Sequence, residues 1–171
     1  MADGGGFDPG RRRVLFGRRR AERPPLRPPW ARVRDFTDLC TRCGACQEAC
    51  AETIIVAGDG GFPTVDFRRG ECTFCGACAD VCPQPLFDRS RRAWTTAPRI
   101  GRGCLTHSGV ICQTCRDICQ EGVFSFVLMP RAAPQPVVDP ASCTGCGACV
   151  SACPGEAVTI DAKNGELRHG A

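Results

Sequence analysis

The sequence predicts an α+β chain of two small modules in tandem, each stapled by two cysteine quartets, behind a flexible basic N-terminal arm. Three observations predict it. All sixteen cysteines of the 171 residues fall into four quartets, with none left over. Within each pair of quartets stand two short apolar runs separated by a turn, the signature of a β-hairpin. Ten arginines against three acids give residues 1–34 a net charge of +7. The 43% apolar fraction includes the cysteines, so the aliphatic and aromatic core is thin. Modules that small need a metal or a disulfide staple to stay folded.

The quartets repeat one motif. Cys143-Thr-Gly-Cys146-Gly-Ala-Cys149-Val-Ser-Ala-Cys153-Pro154 returns as Cys72-Thr-Phe-Cys75-Gly-Ala-Cys78-Ala-Asp-Val-Cys82-Pro83. It returns again as Cys40-Thr-Arg-Cys43-Gly-Ala-Cys46-Gln-Glu-Ala-Cys50. A looser copy has Cys104, seven residues, then Cys112-Gln-Thr-Cys115-Arg-Asp-Ile-Cys119. The C-x2-C-x2-C-x3-C-P run resembles the cysteine arrangement of bacterial [4Fe–4S] ferredoxins. Structural zinc sites use two separated C-x2-C pairs or Cys/His mixtures, and plant-type [2Fe–2S] centres want C-x4-C-x2-C. Three cysteines in seven residues plus a distant fourth suit a cubane, so the expected cofactors are four [4Fe–4S] clusters.

Taken in order, residues 1–37 read as an arm. Gly4-Gly5-Gly6, the arginine runs and Pro24, Pro25, Pro28 and Pro29 leave too little apolar surface to offset chain entropy. Arg12-Arg13-Val14-Leu15-Phe16 looks like a twin-arginine address, but an export signal needs roughly 7–15 apolar residues next. Gly17-Arg18-Arg19-Arg20-Ala21-Glu22-Arg23 does not supply them, and no run approaches the ~18 apolar residues of a membrane span. The expectation is therefore a cytoplasmic, reduced protein whose thiols bind metal rather than pair as disulfides. A docking role for the arm would rest on Arg12, Arg13 and an anchoring Trp30; nucleic-acid binding through the arginines is the weaker reading.

Residues 38–88 form the first two-cluster module. Gly44 and Gly76 let the backbone wrap a cluster, the residues before each fourth cysteine form a short helix, and Pro83 stops the second. Ile54 to Val56, a glycine-rich turn and Pro63 to Phe67 form a hairpin over both clusters. Residues 89–102, with five arginines and Trp94, read as a surface linker with one irregular strand around Trp94. Residues 103–162 repeat the design, with a hairpin from Val123–Leu128 and Gln135–Asp139, and Ala157–Ile160 as a closing strand mirroring Pro85–Phe87. Residues 163–171 are a polar tail. Phe74, between two cysteines, should shield sulfur from water. His107 and His169 are the only histidines, Glu48 and Asp80 read as solvated helix positions, and no phosphate loop or flavin fingerprint appears. No catalytic residue is predicted, and the chain is not expected to be an enzyme.

In two-cluster ferredoxins the fourth cysteine of each quartet ligates the other cluster. That resemblance implies one cluster on Cys40, Cys43, Cys46 and Cys82 and a second on Cys72, Cys75, Cys78 and Cys50. It implies a third on Cys104, Cys112, Cys115 and Cys153 and a fourth on Cys143, Cys146, Cys149 and Cys119. Pro follows the fourth cysteine only in the second and fourth quartets; Ala51 and Gln120 stand there in the others.

The whole chain resembles the NapF family, ferredoxin-type accessory proteins of the periplasmic nitrate reductase system. The resemblance is carried by Arg11-Arg12-Arg13-Val14-Leu15-Phe16-Gly17-Arg18, Arg27-Pro28-Pro29-Trp30, Cys40-Thr-Arg-Cys43, Arg92-Ala93-Trp94 and the C-x7-C-x2-C-x3-C third quartet. It implies a cytoplasmic iron–sulfur protein that contacts the catalytic subunit of that reductase before export and assists its maturation by delivering electrons or a cluster. The alternatives are a general polyferredoxin electron carrier between a cytoplasmic donor and a redox enzyme, and a metal-stapled module whose arm grips nucleic acid.

Overall fold

The computed structural model describes residues 25–162. Its helices are single turns: α1 (Phe36–Leu39), α2 (Ala45–Glu48), α3 (Ala77–Asp80), α4 (Thr114–Asp117) and α5 (Ala148–Ser151). The last four each carry a quartet's third cysteine and lead to its fourth, the short helix expected there. The two expected hairpins are present. β1 (Ile55–Ala57) pairs antiparallel with β2 (Pro63–Val65), Ile55 opposite Val65, around a turn in which Gly60 and Gly61 take φ of 64° and 78°. β4 (Phe124–Met129) pairs with β5 (Ala132–Val138), Phe124 opposite Val138, with a register shift between Val127 and Met129.

The linker departs from expectation. β3 (Thr96–Ile100) forms a regular antiparallel pair with β6 (Val158–Ala162), Pro98 opposite Ile160. Its arginines do face solvent, but Trp94, Thr96 and Pro98 are buried. The reason lies in the partner: β6 without β3 would present a bare row of amides and carbonyls, and residues 96–100 alternate inward and outward along it. Arg99 Nε and Asp161 Oδ2, 2.9 Å apart, join the pair at its surface. The mirrored closing strand also differs, since Phe87 makes only a single bridge, with Ala31.

That bridge corrects the reading of the arm. Residues 25–37 lie on the first module: the Val65 amide donates to the Leu26 carbonyl (2.8 Å), the Arg32 amide to Leu86 O (2.8 Å) and the Trp30 amide to Ala93 O (2.9 Å). Pro28 and Phe36 are among the most deeply buried side chains, Phe36 only 1% exposed. Prolines hold little chain entropy to lose, so a few apolar side chains suffice to dock this stretch. Residues 1–24, with Arg12 and Arg13, and the tail 163–171 lie outside the described residues.

Two small cores result. Ile54, Ile55, Phe67, Cys78 and Trp94 form one; Val123, Phe124, Cys143, Cys149 and Val158 form the other. Val150 and Ile160 pack against both. Between them Trp94 meets Phe67 edge-on at 5.6 Å and Phe74 at 5.9 Å, and donates its indole N–H to Arg27 O at 2.9 Å. Part of the thin apolar content thus lies where the modules meet.

Candidate metal centres

The quartet loops share a backbone recipe. Gly44, Gly76 and Gly147, directly after the second cysteine, sit at φ of 84°, 85° and 87° and open the helical turn. This is the left-handed region where a side chain costs about 1–2 kcal/mol. The residue before that cysteine is left-handed too, at Arg42, Phe74 and Gly145. The third quartet has neither feature: Gln113 precedes α4 at φ −129°, and the insertion instead forms a 3-10 turn, Leu105–Ser108.

Four voids lie beneath these loops, each lined by sulfur from two quartets. Cys40, Cys43, Cys46 and Cys82 line one with Phe36 and Leu86. Cys50, Cys72, Cys75 and Cys78 line the next with Trp30 and Ile54. Cys104, Cys112, Cys115 and Cys153 line a third with Leu105 and Phe126. Cys119, Cys143, Cys146 and Cys149 line the last with Phe124 and Ile160. The first three are small, whereas the last is much roomier and runs on to Cys72 and Phe74 of the first module.

The electrostatics of the thiols follow the same grouping. Burial, then the neighbouring Cys40, Cys82 and Cys43, pushes Cys46 up to about 11. Burial pushes Cys78 up to about 12, with Cys72, Cys46, Cys50 and Cys75 adding to it. Cys115 rises to about 11 through burial and Cys104; Cys149 rises to about 12 through burial, then Cys146, Cys143, Cys119 and Cys115. Cys72 rises to about 11 by burial, opposed by the Phe74 amide, with Cys50, Cys75 and Cys146 raising it further. Cys43 moves the other way, lowered by the Ala45 amide and then by Thr41. Grouped thiols that suppress one another's ionisation around an apolar hollow form a donor set that needs a cationic core. Among the described residues no three His, Cys, Asp or Glu side chains converge on the position of a single ion. The sulfurs ring hollows instead, and the residues fit polynuclear iron–sulfur clusters.

The voids are ordered. Cys46 of the first acts on Cys78 of the second, Cys72 of the second feels Cys146 of the last, and Cys149 of the last feels Cys115 of the third. The middle junction is close: the Cys72 amide donates to the Cys146 carbonyl at 2.8 Å. There the Phe67 ring lies so close over Gly147 that an added Cβ would sit 2.1 Å from it. Arg92 also crosses, its guanidinium donating to Cys143 O at 3.1 Å.

Phe74 packs between Trp30 and Trp94, and its amide donates to Cys72 Sγ at 3.4 Å. Trp30, expected as a docking anchor, is half-buried, with Phe74 at 6.4 Å on one side and the Arg89 guanidinium at 5.5 Å on the other. It covers the second void rather than projecting from the body. His107 is exposed, and the sulfur contact of the insertion comes from its neighbour Thr106, 3.2 Å from Cys104 Sγ. Sequence reasoning missed Thr106, Phe67 and Arg92; only a threonine two residues after a cysteine hinted at the first. Asp80 and Glu48 are exposed, Asp80 paired with Arg89 at 2.9 Å. No helix of the described residues is long and apolar enough to cross a membrane.

Comparison with known proteins agrees with this chemistry. The 4Fe-4S dicluster domain family matches residues 39–86, and the 4Fe-4S binding domain family matches residues 136–159. Ferredoxin-type protein NapF of Escherichia coli K12 is 41% identical over 157 residues, 91% of this chain and 96% of that protein. Ferredoxin-type protein NapF of Haemophilus influenzae is 46% identical over 144 residues, 82% of each. The methylamine utilization ferredoxin-type protein MauM of Methylorubrum extorquens is 34% identical over 78% of this chain and 70% of that protein. With 4Fe-4S family matches in both halves and this identity over nearly its full length, the chain belongs to the NapF family of ferredoxin-type proteins.

Proposed function

We propose that the chain is a cytoplasmic electron-transfer protein of four [4Fe–4S] clusters that assists maturation of the catalytic subunit of periplasmic nitrate reductase before its export. The observation that carries the cluster assignment is the lining of the four voids, each by three cysteines of one quartet and the fourth of its partner. On this reading Cys82 completes the first quartet's site and Cys50 the second's; Cys153 completes the third's and Cys119 the fourth's. Each cluster, when bound, takes up and releases one electron. The residues hold the four sites in the order first, second, fourth, third, with the Cys72–Cys146 hydrogen bond at the centre. Trp30 covers the second site, and Phe74, packed between Trp30 and Trp94, lines the fourth. Exposed Cys43 and Cys75 mark where the first and second sites approach the surface.

The nitrate reductase assignment rests on family membership and on the arginine-rich residues 1–24, which suit an acidic partner surface. Anaerobic co-purification with the unexported catalytic subunit tests it. Recovery that weakens on deleting residues 1–24 and in raised salt is expected; no recovery at low salt overturns it. The second reading is a general electron carrier, favoured by the similarity to a protein named for methylamine utilization rather than nitrate. It predicts electron transfer to several acceptors without a stable complex with any.

A further inference from the structure

We propose that Thr106 is a positioning residue for the third cluster, its hydroxyl donating to the Cys104 sulfur and raising that site's reduction potential. The proposal rests on the four-cluster reading. Thr106 is 3% exposed, and it and Thr96 are the buried polar residues among those described. Its Oγ1 lies 3.2 Å from Cys104 Sγ and 3.4 Å from Gln135 Oε1. A hydroxyl has one proton to give. While Cys104 is a thiol it can donate to Thr106, leaving the threonine proton for Gln135. Once Cys104 is an iron-bound thiolate it has no proton, and the hydroxyl donates to the closer, charged sulfur.

The insertion makes this contact available. In the other three quartets the residue two after the first cysteine is Arg42, Phe74 or Gly145, at φ of 58°, 56° and 86°. There the backbone turns back at once to bring in the second cysteine. Seven residues between Cys104 and Cys112 remove that constraint, and the chain forms the Leu105–Ser108 turn, closed by the Val110 amide on Leu105 O at 3.1 Å. Gln135 on β5 clamps it, its Nε2 donating to Thr106 O at 3.2 Å and Ala133 O at 2.9 Å. A buried donor held on sulfur stabilises the more negative, reduced cluster, so hydrogen bonding to sulfur raises the potential.

The test is a redox titration of the full chain, reconstituted anaerobically and followed by electron paramagnetic resonance, with Thr106→Val and Thr106→Ser compared with the parent. The expected result is that Thr106→Val keeps the parent's iron and sulfide content while one midpoint falls. At fixed potential the reduced fraction of that component should drop about tenfold relative to its oxidised fraction, ~59 mV for a one-electron couple. The other components should stay in place, and Thr106→Ser should restore the parent value. Unchanged midpoints in loaded Thr106→Val, a uniform shift of all components, or a serine variant that behaves like valine overturns the proposal. Should valine impair loading, Thr106→Ala is titrated instead and read by the same outcomes. A parent chain holding well under about sixteen irons refutes the four-cluster reading itself, which the iron count reports separately.

Discussion

A buried thiol with three others facing the same hollow is a poor acid, and that governs how these sites fill. Cys46, Cys72 and Cys115 are pushed to about 11, and Cys78 and Cys149 to about 12, from an ordinary 9.0, first by burial. At neutral pH these thiols are protonated, yet iron takes only the thiolate, so loading must release protons. Anaerobic reconstitution in weak buffer at pH 7.5 should acidify the solution, and loading should be weaker at pH 6 than at pH 8. The sign for folding is opposite. Because the fold raises these values, whatever structure the unligated chain keeps is fully supported below pH 9 and lost as pH rises toward 11–12, measured by circular dichroism. The crossed ligation gives a second residue-scale prediction. Cys82→Ser should abolish the same spectral component as Cys43→Ser, distant in sequence, and spare the component lost in Cys75→Ser; the reverse pairing would refute the crossing.

At the scale of elements, much was legible because the determinants are local. A C-x2-C-x2-C-x3-C spacing with glycine after the second cysteine dictates loop and helical turn together, and Asp59-Gly60-Gly61 between apolar triplets dictates a hairpin. The β3–β6 pair was not legible as such: it joins segments some sixty residues apart, and Thr-Ala-Pro-Arg-Ile has no strong strand pattern until β6 supplies the other half. Docking of residues 25–37 was hidden likewise, since Leu26, Pro28 and Phe36 are isolated among arginines and prolines. Phe36→Ala should cost about 3–5 kcal/mol despite lying in the arm, read from the denaturation midpoint of the loaded protein. Two glycines with nearly equal φ separate backbone strain from packing. Gly44→Ala, with nothing within 4 Å of the new Cβ, should cost only about 1–2 kcal/mol. Gly147→Ala drives its methyl into Phe67 and should destabilise by clearly more, lowering the melting temperature further; equal shifts would mean that the modules do not meet there.

For the whole molecule, a core this thin should make the fold depend on bound metal. Two clusters of buried residues, sharing Val150 and Ile160, leave the sulfur-lined voids as the space around which everything else packs. The same packing sets the Cys72–Cys146 contact and so the order of the sites. Charge divides differently: residues 1–34 carry +7 while the remainder carries −3, and four loaded clusters would take that remainder to about −11. Loading therefore sharpens the contrast between a basic N-terminus and an acidic body. The most direct test of the account is the iron and acid-labile sulfide content of the anaerobically purified chain, with its electron paramagnetic resonance spectrum after reduction. The account predicts about sixteen iron and sixteen sulfide per chain with interacting signals from reduced [4Fe–4S] clusters. A colourless, compact protein holding zinc and no sulfide would contradict it.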